Sequence, residues 1–146
     1  AETQGMKRDE VKGCTGHDLR VPENRISEVI VDASIEVHRT LGGPGLLEGV
    51  YEEALSFELS ERGLKAQRQL PIPINYKGHR IGPNLRLDLL VEGIVIVECK
   101  AVSEYNPIFD AQALTYLRLL NLRLALVINF GARTVVEGLH RVVNGL

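Results

Sequence analysis

The sequence LRLDLLVEGIVIVECK, residues 85–100, decides how this chain folds. Successive side chains of a β-strand point to opposite faces, so two strands that turn back on each other sort their residues into two sets. If Val91 pairs with Val95 across a three-residue loop, one set is wholly apolar, and Gly93 supplies the positive φ that such a loop needs. A two-residue loop would mix charge into the apolar face, so we predict the three-residue loop. The predicted apolar face consists of Leu87, Leu89, Val91, Val95, Val97 and Cys99, and the opposite face of Arg86, Asp88, Leu90, Ile96, Glu98 and Lys100.

This register places two carboxylates, those of Asp88 and Glu98, directly opposite each other. Like charges in that position repel, and burying them without a partner is costly. Lys100, Arg86, a proton or a metal ion could compensate. From the hairpin alone two interpretations stay open, a salt-bridged ladder of these four side chains and a site that holds a cation.

The segments on either side of the hairpin predict a mixed sheet flanked by helices. The predicted elements are a helix capped by Asn24 or Ser27 that ends near Leu41, a helix from about Leu46 to Arg62, a strand at 70–76, the hairpin, a helix from Asn106-Pro107 to about Leu120, and a strand at 123–130. The buried stripe of the second helix is expected to be Leu47, Val50, Tyr51, Ala54, Leu55 and Leu59. Residues 131–146 are ambiguous, and short pieces of strand or helix are expected at 134–136 and 140–143.

Composition predicts one ordinary globular domain. The chain has 146 residues, of which 45% are hydrophobic and 25% charged, which suits a single core. Residues 1–22 are polar and aperiodic and are predicted to be a tail, with the domain at 23–146. We recognise no membrane span or secretory signal, and Cys14 and Cys99 make no disulfide framework, so a reduced cytoplasmic protein is expected. A net charge of −2 without a strong basic stripe argues against a protein that coats duplex DNA by charge alone.

Motifs elsewhere in the chain give the hairpin a more specific meaning. Asp88 followed by Glu98-Cys-Lys100 has the form D…(D/E)xK, Gly45-Leu-Leu-Glu-Gly-Val-Tyr51 has the form GxxExxY, and Gln112-Ala-Leu-Thr-Tyr116 has the form QxxxY. From about residue 29 to the C-terminus the chain resembles the GxxExxY protein family, a branch of the PD-(D/E)xK nuclease superfamily, and the QxxxY motif resembles that of RecB-like members. The chain departs from the family pattern at Gly43, an extra glycine, and at Cys99, where an aliphatic residue is expected.

The resemblance implies an α/β, restriction-endonuclease-like core, which is a mixed four- to five-stranded sheet flanked by helices on both faces. It implies that Asp88 and Glu98 bind Mg²⁺ or Mn²⁺, with the backbone carbonyl of Cys99 as a further ligand and Glu48 on the metal side. Such hard cations prefer oxygen ligands. Lys100 would orient the attacking water or stabilise charge on the phosphate.

Other residues are weaker candidates for the site. Gln112 and Tyr116 share one helix face and would hold Lys100, a water or a phosphate. Glu52, one turn after Glu48, is the reserve carboxylate. Tyr51 is expected to be a packing residue and not a catalyst. His38 is expected either to reach the rim of the site or to have a structural role. Arg68, Arg80, Arg86 and Arg118 are candidate contacts to a phosphate backbone.

Three functions fit these observations. The first is a metal-dependent nuclease acting on DNA or RNA, favoured by the intact Asp88, Glu98 and Lys100. The second is a non-catalytic relative that binds nucleic acid or a protein partner. Small size favours this second function, or else a nuclease that needs an oligomer or a partner subunit. The third is a hydrolase of a smaller phosphate ester, which would have a narrower pocket.

Overall fold

The computed structural model describes residues 16–146, which form one mixed five-stranded sheet with helices on both faces. The strands are β1 (Ala66–Tyr76), β2 (His79–Val91), β3 (Val95–Lys100), β4 (Leu124–Asn129) and β5 (Leu139–Val143), in that order across the sheet. The helices are α1 (Pro22–Thr40), α2 (Glu48–Glu61), α3 (Ile108–Leu120) and α4 (Val135–Gly138). Strands β3 and β4 run parallel and the other neighbours antiparallel. The predicted fold class is confirmed, and the ambiguous C-terminal pieces are α4 and β5.

The first helix begins earlier than predicted. A tail is predicted for residues 1–22, of which residues 1–15 lie outside the described part of the chain. Helix α1 begins at Pro22. Neither predicted cap is correct, because the Asn24 side chain donates to the Asp18 carbonyl and the Ser27 hydroxyl donates to the Asn24 carbonyl, each at 2.9 Å. Proline suits the first turn of a helix, where its missing N–H would have no partner. Within residues 16–146 no helix has the length and apolar character that crossing a bilayer requires.

The predicted register of the central hairpin is confirmed. Val91 pairs with Val95, and Glu92 and Gly93 in the connecting loop have φ of 53° and 73°. Two apolar layers cover the sheet, the first against α1 and α2 and the second against α3. The first layer includes Ile30, Val37, Tyr51, Leu55, Leu59, Leu89, Val91, Val95, Val97 and Cys99. The second includes Leu87, Leu90, Ile96, Ala113, Leu117 and Val127.

The hairpin is kinked at Asp88, and the prediction for Leu87 was therefore wrong. Leu89 packs in the first apolar layer, whereas Leu87 packs in the second. On the neighbouring strand Gln69 has a φ of 51° and forms no ladder pair, although the residues on both sides of it do. A single residue with left-handed backbone interrupts the alternation of a strand. The kink thus lies beside the residue for which the sequence predicts a functional role.

The buried stripe of α2 is shorter than predicted. Tyr51, Leu55 and Leu59 are fully buried, but Leu47 is 79% exposed and Val50 is 42% exposed. The helix begins only at Glu48, so Leu47 precedes the first turn and does not continue the helical face. Residues 47–50 are therefore exposed, and the buried face of α2 begins at Tyr51.

Asn129 holds the segment after β3 against the end of β4. Its side chain accepts a hydrogen bond from the Val102 N–H at 3.0 Å and donates one to the Val102 carbonyl at 3.1 Å. The Gly131 N–H also donates to Asn129 Oδ1, at 2.9 Å. This contact fixes the chain two residues beyond Lys100.

We predict that Gly131→Ala destabilises the fold by more than about 2 kcal/mol. A Cβ at Gly131 would overlap the Val102 carbonyl oxygen and lie 2.7 Å from the Val102 nitrogen, and backbone atoms cannot move aside as side chains do. Gly49→Ala is the matched control, because a Cβ there meets nothing within 4 Å and alanine favours a helix. Chemical denaturation measures both, and equal stability of the two variants would contradict the prediction.

Candidate functional site

Asp88 and Glu98 lie together where β2 and β3 stop pairing. The last ladder pair joins Leu89 to Val97. Beyond it the Asp88 N–H donates to Glu98 Oε2 at 3.0 Å, and the Cys99 N–H donates to Asp88 Oδ2 at 2.8 Å. The two carboxylates therefore take the place that backbone carbonyls occupy in an unbroken ladder, and each bridges to the opposite strand.

Burial makes this pair of carboxyl groups electrostatically unfavourable when both are charged. Glu98 is 8% exposed, and burial together with the charge of Asp88 raises the pKa of Glu98 to about 8. Burial also raises the pKa of Asp88, against the opposing effect of the Cys99 N–H bond. Burial raises the pKa of the Cys99 thiol well above its usual value, so this cysteine is a neutral packing residue. Near neutral pH the pair thus holds a proton unless a cation replaces it.

No cationic side chain forms an ion pair with these carboxylates among residues 16–146. The Lys100 ammonium lies 4.5 Å from the centre of the Phe109 ring of α3, and its charge lowers the pKa of both carboxyl groups without a direct bond. Arg86 donates instead to the Gln69 carbonyl, at 3.2 Å. The salt-bridged ladder that the sequence left open is therefore not formed, and Asp88 and Glu98 keep capacity to accept a cation.

Glu52 of α2 supports the kink. It is 5% exposed, and it accepts hydrogen bonds from Arg68 Nε at 3.1 Å and from the Gln69 amide at 2.9 and 3.1 Å. Its charge also contributes to raising the pKa of Asp88 and Glu98. From the sequence, Glu52 is only a reserve carboxylate. Its spacing of four residues after Glu48 was the available signal, but its partners come from β1 and could not be inferred.

Glu48 and Tyr51 of the GxxExxY motif have different surroundings. Glu48 is exposed at the first position of α2, and its charge contributes to raising the pKa of Asp88. Tyr51 is fully buried, stacks on Phe130 with ring centres 4.7 Å apart, and donates from its hydroxyl to the Gly43 carbonyl at 2.7 Å. The same oxygen accepts from the Leu46 N–H at 3.2 Å. Tyr51 thus holds the loop that leads into α2, whereas the charge of Glu48 acts on Asp88.

The candidates on α3 and α1 differ in whether they lie near Asp88 and Glu98. Tyr116 of α3 is half-buried, and after burial itself the charges of Glu98 and Asp88 are the causes that raise its pKa, which places it near the pair. Gln112, one turn earlier, is exposed. His38 does not reach the pair, because its Nε2 lies 3.2 Å from the Ala132 carbonyl and its ring packs near Phe130.

The donor set suits a cation that needs few protein ligands. Within residues 16–146 no group of three or more His, Cys, Asp or Glu side chains is arranged to hold a metal ion. The two carboxylates of Asp88 and Glu98 are hard oxygen donors, and Mg²⁺ commonly binds one or two carboxylates and completes its shell with water and substrate phosphate. The pair could therefore hold a hard divalent cation that takes its remaining ligands from water and substrate.

Comparison with known proteins identifies one family. A family model described as the PD-(D/E)XK nuclease superfamily matches residues 24–142, which include every site residue discussed above. No curated protein and no solved structure matches the chain.

We predict that Glu98→Gln stabilises the metal-free protein at about pH 9 by roughly 2 to 4 kcal/mol, and has little effect near pH 5. The pKa of Glu98 is raised in the folded state, so the wild type loses stability as pH rises from the unfolded value of 4.5 towards about 8. Glutamine cannot ionise and escapes this loss. Denaturation in the presence of a chelator measures the difference. Glu61→Gln, an exposed carboxylate on α2, should show no such pH dependence. A Glu98→Gln effect that is equal at both pH values would contradict the assignment.

We predict that Glu52→Ala destabilises the fold by about 2 kcal/mol, because Arg68 and Gln69 would lose a buried acceptor. Glu53→Ala is the matched control, since Glu53 is exposed on the same helix, and it should change stability by less than about 0.5 kcal/mol. Thermal denaturation compares them. If both variants melt like the wild type, Glu52 does not support the kink.

Proposed function

Because the chain belongs to the PD-(D/E)XK nuclease superfamily, we propose that it is a divalent-metal-dependent nuclease that hydrolyses phosphodiester bonds in DNA or RNA. One observation carries the proposal beyond the family match. Half-buried Asp88 and buried Glu98 lie side by side, no lysine or arginine among residues 16–146 forms an ion pair with them, and Lys100 follows two residues after Glu98. A fold that only needed a stable sheet would gain nothing from such a pair.

In this proposal Asp88 and Glu98 bind Mg²⁺ or Mn²⁺, with the Cys99 carbonyl as a further ligand and Glu48 on the metal side. When bound, the ion supplies Lewis acidity toward a phosphate oxygen and lowers the pKa of water. Lys100 orients the attacking water and stabilises negative charge that develops on the phosphate. Its position over the Phe109 ring, away from a direct ion pair, leaves its N–H donors available.

Gln112 and Tyr116 complete the proposed site from the α3 side. Their four-residue spacing puts them on one helix face, and the charges of Asp88 and Glu98 already act on Tyr116. We propose that they hold Lys100, a water or the substrate phosphate. The exposed Gln112 would reach substrate, and Tyr116 would lie closer to the carboxylates.

We also propose membership in the GxxExxY branch, with residues 23–146 as the nuclease-like domain after a tail. The bonds of Tyr51 to the Gly43 carbonyl and the Leu46 N–H support this, because they give the motif's tyrosine a structural role in holding the loop that contains Gly45. A non-catalytic module that binds nucleic acid or a protein partner is the alternative. It is favoured by the lack of a three-residue metal cluster within residues 16–146.

We predict that the protein cuts labelled DNA or RNA only when Mg²⁺ or Mn²⁺ is added, and that Asp88→Ala and Lys100→Ala each reduce the rate by at least about a hundredfold. Incubation with single- and double-stranded substrates, followed by gel analysis, measures this. Glu61→Gln should keep the wild-type rate.

Two outcomes separate the alternatives. Cutting that survives both Asp88→Ala and Lys100→Ala would overturn the assignment of the site. If no substrate is cut but Mn²⁺ raises the melting temperature of wild type and not of Asp88→Ala, the chain is a metal-binding member without nuclease activity.

A further inference from the structure

Strands β1 and β2 extend well beyond the rest of the sheet. Strand β2 pairs with β3 only through Leu89–Val91, while the preceding residues of β2 pair with β1 alone. We call residues 71–86 the hairpin arm. Apart from the buried Ile72 and the half-buried Ile74 and Leu85, its residues are exposed on both faces of the ribbon. The arm is thus a two-stranded ribbon that projects into solvent.

The arm carries a concentration of positive charge that the overall composition conceals. The chain has a net charge of −2, yet residues 64–87 contain five lysines and arginines and no aspartate or glutamate. Three of the five, Lys77, Arg80 and Arg86, lie in the arm; the other two, Lys65 and Arg68, precede it, and Arg68 is paired with Glu52.

The charges of the arm are not neutralised within the fold. Several exposed arginines elsewhere in residues 16–146 pair with carboxylates, as Arg39 does with Glu36 and Arg133 with Glu137. By contrast, Arg80 contacts only the Asn84 amide oxygen at 3.5 Å, and Arg86 contacts a backbone carbonyl. Since a paired charge gains little from binding an anion, the arm is the surface best suited to attract one.

The arm lies at the same end of the sheet as the site. Strand β2 runs antiparallel to β3, so the residues that precede Asp88 extend past Lys100, the last residue of β3. Arg86 lies two residues from Asp88. A nucleic acid whose phosphate rests at the carboxylate pair would therefore continue along the arm.

The arrangement of side chains along the arm fits a duplex. Leu85 and Leu87 face the α3 layer, so alternation directs Arg86 to the other face, while Arg80 is exposed beyond the irregularity of the ladder between Ile72 and Ile74. Arg86 pairs with Pro71 and Arg80 with Asn75, four positions apart on β1, so the two arginines are separated by about 13 Å along the ribbon, the length of about four base pairs. Tyr76 at the tip is 59% exposed, and the Lys77 ammonium lies 5.4 Å from its ring centre.

We propose that the hairpin arm binds duplex DNA beside the scissile phosphate, with its ribbon in the major groove and Lys77, Arg80 and Arg86 on the phosphates. The major groove of B-form DNA admits a two-stranded ribbon, whereas the major groove of A-form RNA is too narrow. This proposal rests on the proposed nuclease function, because that function places the scissile phosphate at Asp88 and Glu98. The binding itself does not require cutting, so it can be tested separately.

The test compares DNA binding by two triple variants of equal charge. The first is Lys77→Gln, Arg80→Gln and Arg86→Gln in the arm. The matched control is Arg20→Gln, Arg39→Gln and Arg133→Gln, which removes three exposed arginines that pair with carboxylates elsewhere. Fluorescence anisotropy with a labelled duplex of about 30 base pairs, in chelator at several salt concentrations, gives Kd and its salt dependence, and circular dichroism checks that both variants are folded.

The arm variant should bind the duplex at least about tenfold more weakly than wild type, and the slope of log K against log salt should fall by about 2 to 3. The control should stay within about twofold. Equal binding by both variants, or no binding of duplex DNA by wild type, would overturn the proposal. If the arm variant loses as much affinity for single-stranded DNA or duplex RNA of the same length, the placement of the arm in a DNA groove is overturned.

The arm and the site can fail independently. If wild type cuts DNA while the arm variant binds like the control, the arm proposal falls and the nuclease stands. If the arm variant loses DNA binding as expected but no substrate is cut with any metal, the nuclease proposal falls and the arm stands.

Discussion

The structure depends on two hydrogen bonds in which the carboxylates of Asp88 and Glu98 take the place of backbone carbonyls between β2 and β3. Each carboxylate accepts a backbone N–H from the opposite strand, and this bond partly offsets the cost of removing the carboxylate from water. The remaining cost is evident in the raised pKa of both groups. A cation bound in place of the proton would lower this cost. This electrostatic cost therefore lies at the two residues for which we propose metal binding.

Several buried contacts hold the surroundings of this pair in place. Glu52 accepts hydrogen bonds from Arg68 and Gln69 at the kink, and Asn129 bonds the chain beyond β3 to the end of β4. Tyr51 anchors the loop before α2 and so sets where the exposed Glu48 begins that helix. None of these three groups needs to touch substrate. Their common effect is to keep flexible segments from relaxing away from Asp88, which a preorganised site requires.

Sequence patterns succeeded where one local rule controls the outcome. The Val91–Val95 register follows from alternation and from the need for positive φ at Gly93, and no distant residue alters either. The pattern failed at Leu87, because the kink reverses the alternation and is stabilised by Glu52 from another element. It failed also at Asn24 and Ser27, whose side chains are good caps in isolation but bond elsewhere.

By itself, the sequence determined the α/β class, the central hairpin and the proximity of Asp88 to Glu98, because periodicity and turn chemistry are properties of neighbouring residues. Only the tertiary structure decided that Lys100 rests on Phe109 instead of pairing with the carboxylates, and that Glu52 supports the kink. It alone revealed the hairpin arm as an unneutralised surface, because the composition averages its charge with acidic residues elsewhere. The physical reason is that compensation of charge depends on which distant side chains the fold brings within bonding distance, and no local pattern records that.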